Sequence, residues 1–404
     1  MINKTIIYKN FSNIYRSTFK KDKKVKRKAL SILTEIKKNL DHSFDTLHSL
    51  SNNFKFSFKE KELKRFKKFN TIIIIGMGGS VLGSEAICDF LKDKIRKKII
   101  FFNDINIEKF KKIKSNKKSN TLYVIISKSG STIETISNLL SLRLIKRNSK
   151  NIIIICKKNN NPLYFVCKKY NLYHIEHKSY ISGRYSVLSD VGIVPAFLMG
   201  LNIKDMRKNL LVHFQKNKSF LLNSIIRLNN FYKKKYFNNL ILLNYVPHLD
   251  KFLYWYQQLL AESLGKKGKG FLPLISNVPK DHHSLLQLYL DGPKNKLFYI
   301  FSEEKPRKLK RINTKNIMPY LKHLNKKTLN DVKNAQKIAL IRSLKKNKIP
   351  FREFKIKDFN TVSLGELFSY FMIETAILGK LSEINPFDQP AVEQVKIDTK
   401  NILS

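Results

Sequence analysis

The chain has 404 residues, with 78 Lys and Arg against 30 Asp and Glu, a formal net charge of +48. Hydrophobic residues make up 43% of it, enough to bury a large core, which excludes a disordered basic tail. The charge alone would suit a nucleic-acid binder. However, the basic residues are spread along the chain, and 14 Gly and 11 Pro beside 28 Phe and 17 Tyr point to an AT-rich genome, so no nucleic-acid partner is expected.

In chain order, Met1–Arg16 holds no signal-peptide apolar stretch, and residues 1–60 read as a polar, helical arm that includes the basic-rich stretch Lys20–Lys28. The pattern changes at Asn70. Thr71–Ile75 is a short β-branched run, predicted as a strand, followed at once by Gly76-Met77-Gly78-Gly79-Ser80 and a helical stretch, Val81–Leu91. Further strands are predicted at Lys98–Phe102, Thr121–Ser127 and Asn151–Cys156, with a basic-rich stretch at Lys109–Lys118 and a helix at Thr132–Leu144 between them. Residues 201–235 show no strand and are expected to be helical. The alternation then restarts: strands at Asn239–Asn244, Lys296–Phe301 and Phe351–Ile356, and helices at Phe252–Leu264, Leu329–Leu344 and Leu364–Leu381. The turn Asn385-Pro386-Phe387-Asp388-Gln389-Pro390 opens a last helix, because Pro fits the first helical position.

Short apolar runs alternating with helices imply parallel sheets covered on both faces, hence an α/β fold. The expected organisation is an N-terminal helical arm (1–60), a first α/β domain (61–200), a helical connection (201–235), a second α/β domain (236–381) and a C-terminal helical segment (382–404). Cys88, Cys156 and Cys167 are few and odd in number, which argues against a disulfide framework and for a cytoplasmic protein. No uncharged apolar run approaches the roughly 18 residues of a membrane helix, so no membrane association is expected.

Two loops between a strand and a helix could hold an anion. In Gly76-Met77-Gly78-Gly79-Ser80 the glycines allow backbone N–H groups to approach a ligand at a helix N-terminus. Val81 takes the place of the third glycine of the dinucleotide fingerprint, and a tight structural turn explains the loop equally well. Ser127-Lys128-Ser129-Gly130-Ser131-Thr132 packs four hydroxyls, an ammonium and a glycine into six residues. Ser131 and Glu134 have capping-box spacing. One cap needs one hydroxyl, however, and this surplus of donors suits a phosphate monoester.

Other candidates follow. Arg184, within Gly183-Arg184-Tyr185-Ser186, could meet an anion. Gln258 and Glu262 are four apart and share a helix face. Asp281-His282-His283 contains an adjacent imidazole pair; no further ligand cluster at a familiar spacing accompanies it, so acid/base use of one His is more economical than a metal site. Gln389 and Lys396, seven apart, would share one face of the last helix.

In order, these segments resemble the phosphoglucose isomerase family. They are Gly76–Ser80, Ser127–Thr135, Ser182–Ser186, Ala261–Lys266, His283 with Gln287-Leu288, and Ile384-Asn385-Pro386-Phe387-Asp388-Gln389-Pro390-Ala391-Val392-Glu393-Gln394-Val395-Lys396. The resemblance implies two sugar-isomerase (SIS) domains, a homodimer, and interconversion of glucose 6-phosphate and fructose 6-phosphate without cofactor or metal. It implies that Glu262 moves a proton between C2 and C1 and that Arg184 stabilises the cis-enediolate. His283, from the partner subunit, and Lys396 would assist ring opening. Ser127, Lys128, Ser129 and Thr132 would bind the phosphate, with Gly79, Ser80 and Gln389 as further substrate contacts. Departures from the family pattern are Ser182 for a usual Gly, Pro390-Ala391 for a common Trp-Gly pair, and the additional His282. They leave fine specificity open, including mannose 6-phosphate as an alternative substrate. A non-catalytic sugar-phosphate-binding protein on the same fold is a second alternative, though it would be expected to lack the Glu262, His283 and Lys396 set.

Overall fold

A computed structural model of the protein describes residues 5–12, 23–42, 44–115, 120–233, 236–304, 310–314 and 319–404. Ten strands form two five-stranded sheets among them. Strand β1 (Ile6–Ser12) belongs to the second sheet. Strands β2 (Thr71–Ile75), β3 (Lys98–Phe102), β4 (Thr121–Ile126), β5 (Ile152–Cys156) and β6 (Tyr173–Glu176) form the first, in the order β3-β2-β4-β5-β6 and all parallel. Strands β7 (Asn239–Asn244), β8 (Leu272–Asn277), β9 (Lys296–Glu303) and β10 (Phe351–Ile356) complete the second, in the order β1-β10-β9-β7-β8. Only the β1–β10 pairing is antiparallel.

The helices of the first half are α1 (Lys23–Asn39), α2 (Glu60–Leu63), α3 (Leu82–Phe90), α4 (Ile107–Ser115), α5 (Ile133–Ser141), α6 (Pro162–Lys169), α7 (Asp190–Leu198), α8 (Ile203–Met206) and α9 (Lys218–Lys233). Those of the second are α10 (Asp250–Leu264), α11 (His282–Leu290), α12 (Leu329–Lys346), α13 (Thr361–Leu381) and α14 (Glu393–Ile402). In each sheet the chain passes from its first central strand to one side and then returns to the other. This creates a crevice at the carboxyl ends of β2 and β4, and another at those of β7 and β9.

The Ile72–Ile75 run is buried on both faces, as central parallel strands require. The largest core cluster lies between the sheets and includes Ile72, Ile74, Trp255, Tyr256, Phe368 and Phe371. Helix α10 packs on both α3 and α13, tying the two sheets together. Smaller clusters cover the outer face of each sheet. By length and composition α13 could cross a membrane, but 94% of its apolar window is buried inside the protein. It is the central core helix, and its buried Glu374 carboxylate pairs with Arg352 at 2.6 Å.

Every strand predicted from the sequence is present to within two residues of its expected ends. Three others were not read. The N-terminal arm is not purely helical: Ile6–Ser12 is a strand whose partner, β10, lies some 350 residues away, so local pattern could not announce it. Strand β6 is only four residues long. Strand β8 carries Pro273, which is tolerated because β8 is an edge strand. Residues 13–22 of the arm, the ends of the basic stretches at Lys20–Lys28 and Lys109–Lys118, and residues 234–235 of the connection lie outside the described residues.

Candidate active site

The carboxyl end of β4 leads into the Ser127–Thr132 loop. The capping box expected from Ser131 and Glu134 does not form: α5 begins at Ile133 with Thr132 at its N-cap and no side-chain cap bond. The hydroxyls turn towards one another instead. Ser127 Oγ lies 2.8 Å from Thr132 Oγ1 and 3.5 Å from Ser129 Oγ, and it accepts from the Gly130 amide at 3.2 Å. Gly130 has φ +67°, and a Cβ there would stand 1.8 Å from Asn161 Oδ1, so only glycine fits. Lys128 sits within this loop. Burial, then Lys157 and Arg184, push its ammonium down to about 8. A loop of clustered hydroxyls beside a destabilised cation is suited to an anion, which would supply the missing countercharge.

The Gly76–Ser80 loop follows β2 and lies against residues 183–184. A Cβ on Gly79 would stand 2.4 Å from the Gly183 carbonyl carbon and 2.7 Å from the Arg184 nitrogen, so the close backbone approach requires glycine. The contact fixes Ser80 and the Arg184 loop as one wall.

Arg184 is the hub of the site. Its side chain is 1% exposed. Nε donates to Ser263 Oγ at 2.8 Å, and Nη2 donates to the Pro386 and Asp388 carbonyls at 2.7 and 2.8 Å. Nη1 faces Glu262 Oε2 at 3.3 Å, Gln389 Oε1 at 3.4 Å and Ser182 Oγ at 3.4 Å. A buried guanidinium needs this many acceptors to offset its lost hydration. Ser182, the departure from the family pattern, is therefore one more acceptor for Arg184. Trp255 Nε1 donates to the Arg184 carbonyl at 3.2 Å, anchoring the backbone as well.

Glu262 lies near the C-terminal end of α10, with its carboxylate 33% exposed in front of the buried Arg184. Gln258 Nε2, one turn earlier, donates to Glu262 Oε1 at 2.8 Å. The shared helix face expected from their spacing is thus realised as an orienting bond. Together, Arg184 and Gln258 engage both carboxylate oxygens on one side.

The turn at 385–389 is clamped from two directions. Besides Arg184, the Lys266 ammonium donates to the Asn385 and Asp388 carbonyls and to Asp388 Oδ1 at 2.5, 2.7 and 2.6 Å. Lys266 thereby holds the Asp388 carboxyl below its usual range. Ser263, Lys266 and the Pro386 and Asp388 carbonyls were not singled out from sequence. Their only signal was membership of the quoted motifs, since no spacing rule foretells which carbonyls an arginine 200 residues away will use.

Two candidates are not brought to this cluster within the chain. Gln389 and Lys396 do not share a helix face. Pro390–Val392 is a 3₁₀ turn, Gln389 precedes it in a non-helical conformation, and α14 starts only at Glu393. Every residue from 391 to 404 is exposed, and Lys396 pairs with Glu393 at 2.7 Å. The expected return of the C-terminal segment to the site therefore stops at the 385–389 turn. His283 is exposed at the start of α11. Its neighbour His282 is turned inward, with Nε2 3.0 Å from the Tyr245 hydroxyl, and burial lowers its pKa. The two imidazoles thus have different surroundings. Among the described residues, no three His, Cys, Asp or Glu side chains stand together as a metal-binding group.

Residues 20–270 match the model of a family described as phosphoglucose isomerase. A protein of Methanococcus maripaludis named as a probable glucose-6-phosphate isomerase is 34% identical over 388 residues, covering 91% of this chain and 86% of its own. A glucose-6-phosphate isomerase of Methanocaldococcus jannaschii is 30% identical, covering 83% and 86%. Among solved structures, a hypothetical protein from Thermus thermophilus superposes with a TM-score of 0.82 at 22% identity, over 99% of this chain and 100% of its own. A glucose-6-phosphate isomerase from Chlamydia trachomatis superposes at 0.71 with 20% identity, over 85% and 72%. These two likenesses concern the fold.

Proposed function

The chain belongs to the phosphoglucose isomerase family, and on that premise we propose that it is the enzyme interconverting glucose 6-phosphate and fructose 6-phosphate, a glycolytic and gluconeogenic step. One observation carries the assignment of roles. A buried, fully engaged guanidinium lies 3.3 Å from a partly exposed carboxylate, and Lys128 of the hydroxyl-rich loop is close enough for the Arg184 charge to act on it.

An aldose–ketose isomerisation removes a weakly acidic proton beside a carbonyl and returns it to the neighbouring carbon. Glu262, held by Gln258 and Arg184, is the proton carrier between C2 and C1. Negative charge then builds on two adjacent oxygens. Arg184 cannot move away, so its interaction is strongest with that developing charge, as transition-state stabilisation requires. Ser127, Lys128, Ser129 and Thr132 take the phosphate and orient the reacting carbons from a distance. Gly79, Ser80 and Gln389 line the same crevice as substrate contacts. These steps move only protons, and the residues named supply them without a cofactor.

The sugar enters as a ring, so an acid and a base are also needed at the ring oxygen and O1. His283 and Lys396 fill these roles, with His283 contributed by a second copy in a homodimer. Support comes from exposed apolar side chains on the helices that carry them: Leu288 on α11 with His283, and Val395 and Ile402 on α14 with Lys396. The protein works in the cytoplasm, where its phosphorylated substrates are held. Two sugar-isomerase domains, one per sheet, contribute the crevice.

The deciding experiment is to incubate the purified protein with fructose 6-phosphate in the presence of a chelator and identify the products. Glucose 6-phosphate is expected. Binding without turnover, or mannose 6-phosphate as the main product, would overturn the assignment.

A further inference from the structure

The two sheets repeat one plan. Strand β9 stands to β7 and β10 as β4 stands to β2 and β5. The carboxyl end of β4 holds the phosphate-loop candidate. The carboxyl end of β9 opens into a cavity of about 160 Å³ beneath α12 that no step of the isomerisation uses.

Towards the amino ends of these strands α12 packs on an apolar layer, with Leu340 and Leu344 against Phe298, Ile300 and Phe351. At the carboxyl ends that layer becomes polar. Ser302 is 2% exposed, and among the described residues its Oγ has no hydrogen-bond partner. Lys337, on α12, is 8% exposed and forms neither an ion pair nor a hydrogen bond among the described residues. Both line the cavity. An unpaired ammonium on a largely buried side chain and an unpaired buried hydroxyl are each costly, and groups in this position ordinarily have a partner.

The carboxylates that line the cavity are already engaged. Glu303 pairs with Lys333 at 3.0 Å and Glu304 with Lys357 at 3.5 Å. Asp331 Oδ2 accepts from the Thr328 amide and hydroxyl at 2.7 and 2.9 Å. Nearby, Glu353 pairs with Lys9 at 3.4 Å. Around Lys337 the charges of Lys355, Lys9 and Lys333 oppose its proton and Glu353 favours it; with burial the largest cause, its pKa is lowered. The neighbouring carboxylates are thus held by other groups, and Lys337 is left without an anionic partner among the described residues.

We propose that this cavity is a second anion site, taking a small phosphate-class oxyanion on Lys337, Lys355 and Ser302 Oγ. The volume is below the roughly 300–1,000 Å³ of pockets that enclose whole metabolites, so the occupant is the oxyanion itself. The duplicated sheet places it at the second switch point, where open α/β sheets bind ligands.

The test is equilibrium dialysis of the full-length protein against inorganic phosphate. Two bound phosphates per chain are expected: one at the Ser127–Thr132 loop, lost in Lys128→Ala, and one at the cavity, lost in Lys337→Met. Lys337→Met should keep isomerase turnover and lose about half of the phosphate-dependent rise in Tm. If Lys337→Met does not fold, Ser302→Ala serves, with weakened binding of the second phosphate expected. A single phosphate per chain that persists in Lys337→Met and disappears in Lys128→Ala would overturn the proposal, leaving the cavity to water.

Discussion

Arg184 Nη1 lies 3.3 Å from Glu262 Oε2, although the two residues are 78 positions apart and come from different sheets' connections. The arginine is almost completely buried and the carboxylate is one-third exposed. The pair thus has a fixed half and an accessible half. That asymmetry suits a reaction in which the carboxylate must reach a substrate carbon while the cation waits behind it.

Glu262→Gln should retain the fold, because the amide oxygen can still accept from Arg184 while a flipped Gln258 accepts from the new NH2 through its Oε1. Turnover should fall by on the order of a hundredfold or more, the contribution expected of a positioned general base. Exchange of solvent deuterium into C2, followed by NMR, should stop. Normal exchange in the variant would remove Glu262 from the base role.

Arg184→Ala should lower kcat by on the order of 10²–10³, with a smaller change in KM, as expected for loss of transition-state charge stabilisation. It also frees the Pro386 and Asp388 carbonyls, so the melting temperature should fall. Arg184→Lys should recover little, since an ammonium cannot serve the forked acceptor set. Steady-state kinetics that showed a pure KM effect would make Arg184 a binding residue only.

Lys128 gives a pH signature. Its pKa is pushed down to about 8, so it is charged below that pH and neutral above it. The substrate phosphate is a dianion above about pH 6. Affinity should therefore be greatest between about pH 6 and 8, and KM should rise as pH passes through about 8. Lys128→Ala should raise KM about ten- to a hundredfold, the worth of a charge-assisted hydrogen bond, and abolish that rise. A KM profile that stayed flat in wild type through pH 9 would contradict it.

Subunit complementation tests His283. Glu262→Gln and His283→Ala should each be nearly inactive alone. Unfolded together and refolded as a mixture, they should regain about a quarter of wild-type activity, because hybrid dimers of an isologous pair have one intact site. No recovery, with hybrids shown to form, would confine His283 to its own subunit or remove it from the mechanism.

Much of this was legible in the amino-acid sequence. Of the seven readable strands, central ones such as Thr71–Ile75, Thr121–Ile126 and Ile152–Cys156 are buried on both faces and so appear as short continuous apolar runs, whereas edge strand Lys98–Phe102 and the mixed Phe351–Ile356 were readable from their β-branched and aromatic residues. The ordered motifs were sufficient to suggest the family. The crowded hydroxyls of Ser127–Thr132 and the four-residue spacing of Gln258 and Glu262 are local features, set within one loop or one helical turn. What only the tertiary structure decided is non-local. It paired Ile6–Ser12 with β10, aimed Arg184 at carbonyls of the 385–389 turn, turned His282 towards Tyr245 while leaving His283 exposed, and ended the helix before Gln389 could share a face with Lys396. It also left Lys337 and Ser302 largely buried at the second switch point, without hydrogen-bond partners among the described residues. Periodicity reports which face of an element is apolar; it does not report what packs on that face. That depends on contacts between residues hundreds of positions apart, where burial, rather than spacing, decides which polar groups meet.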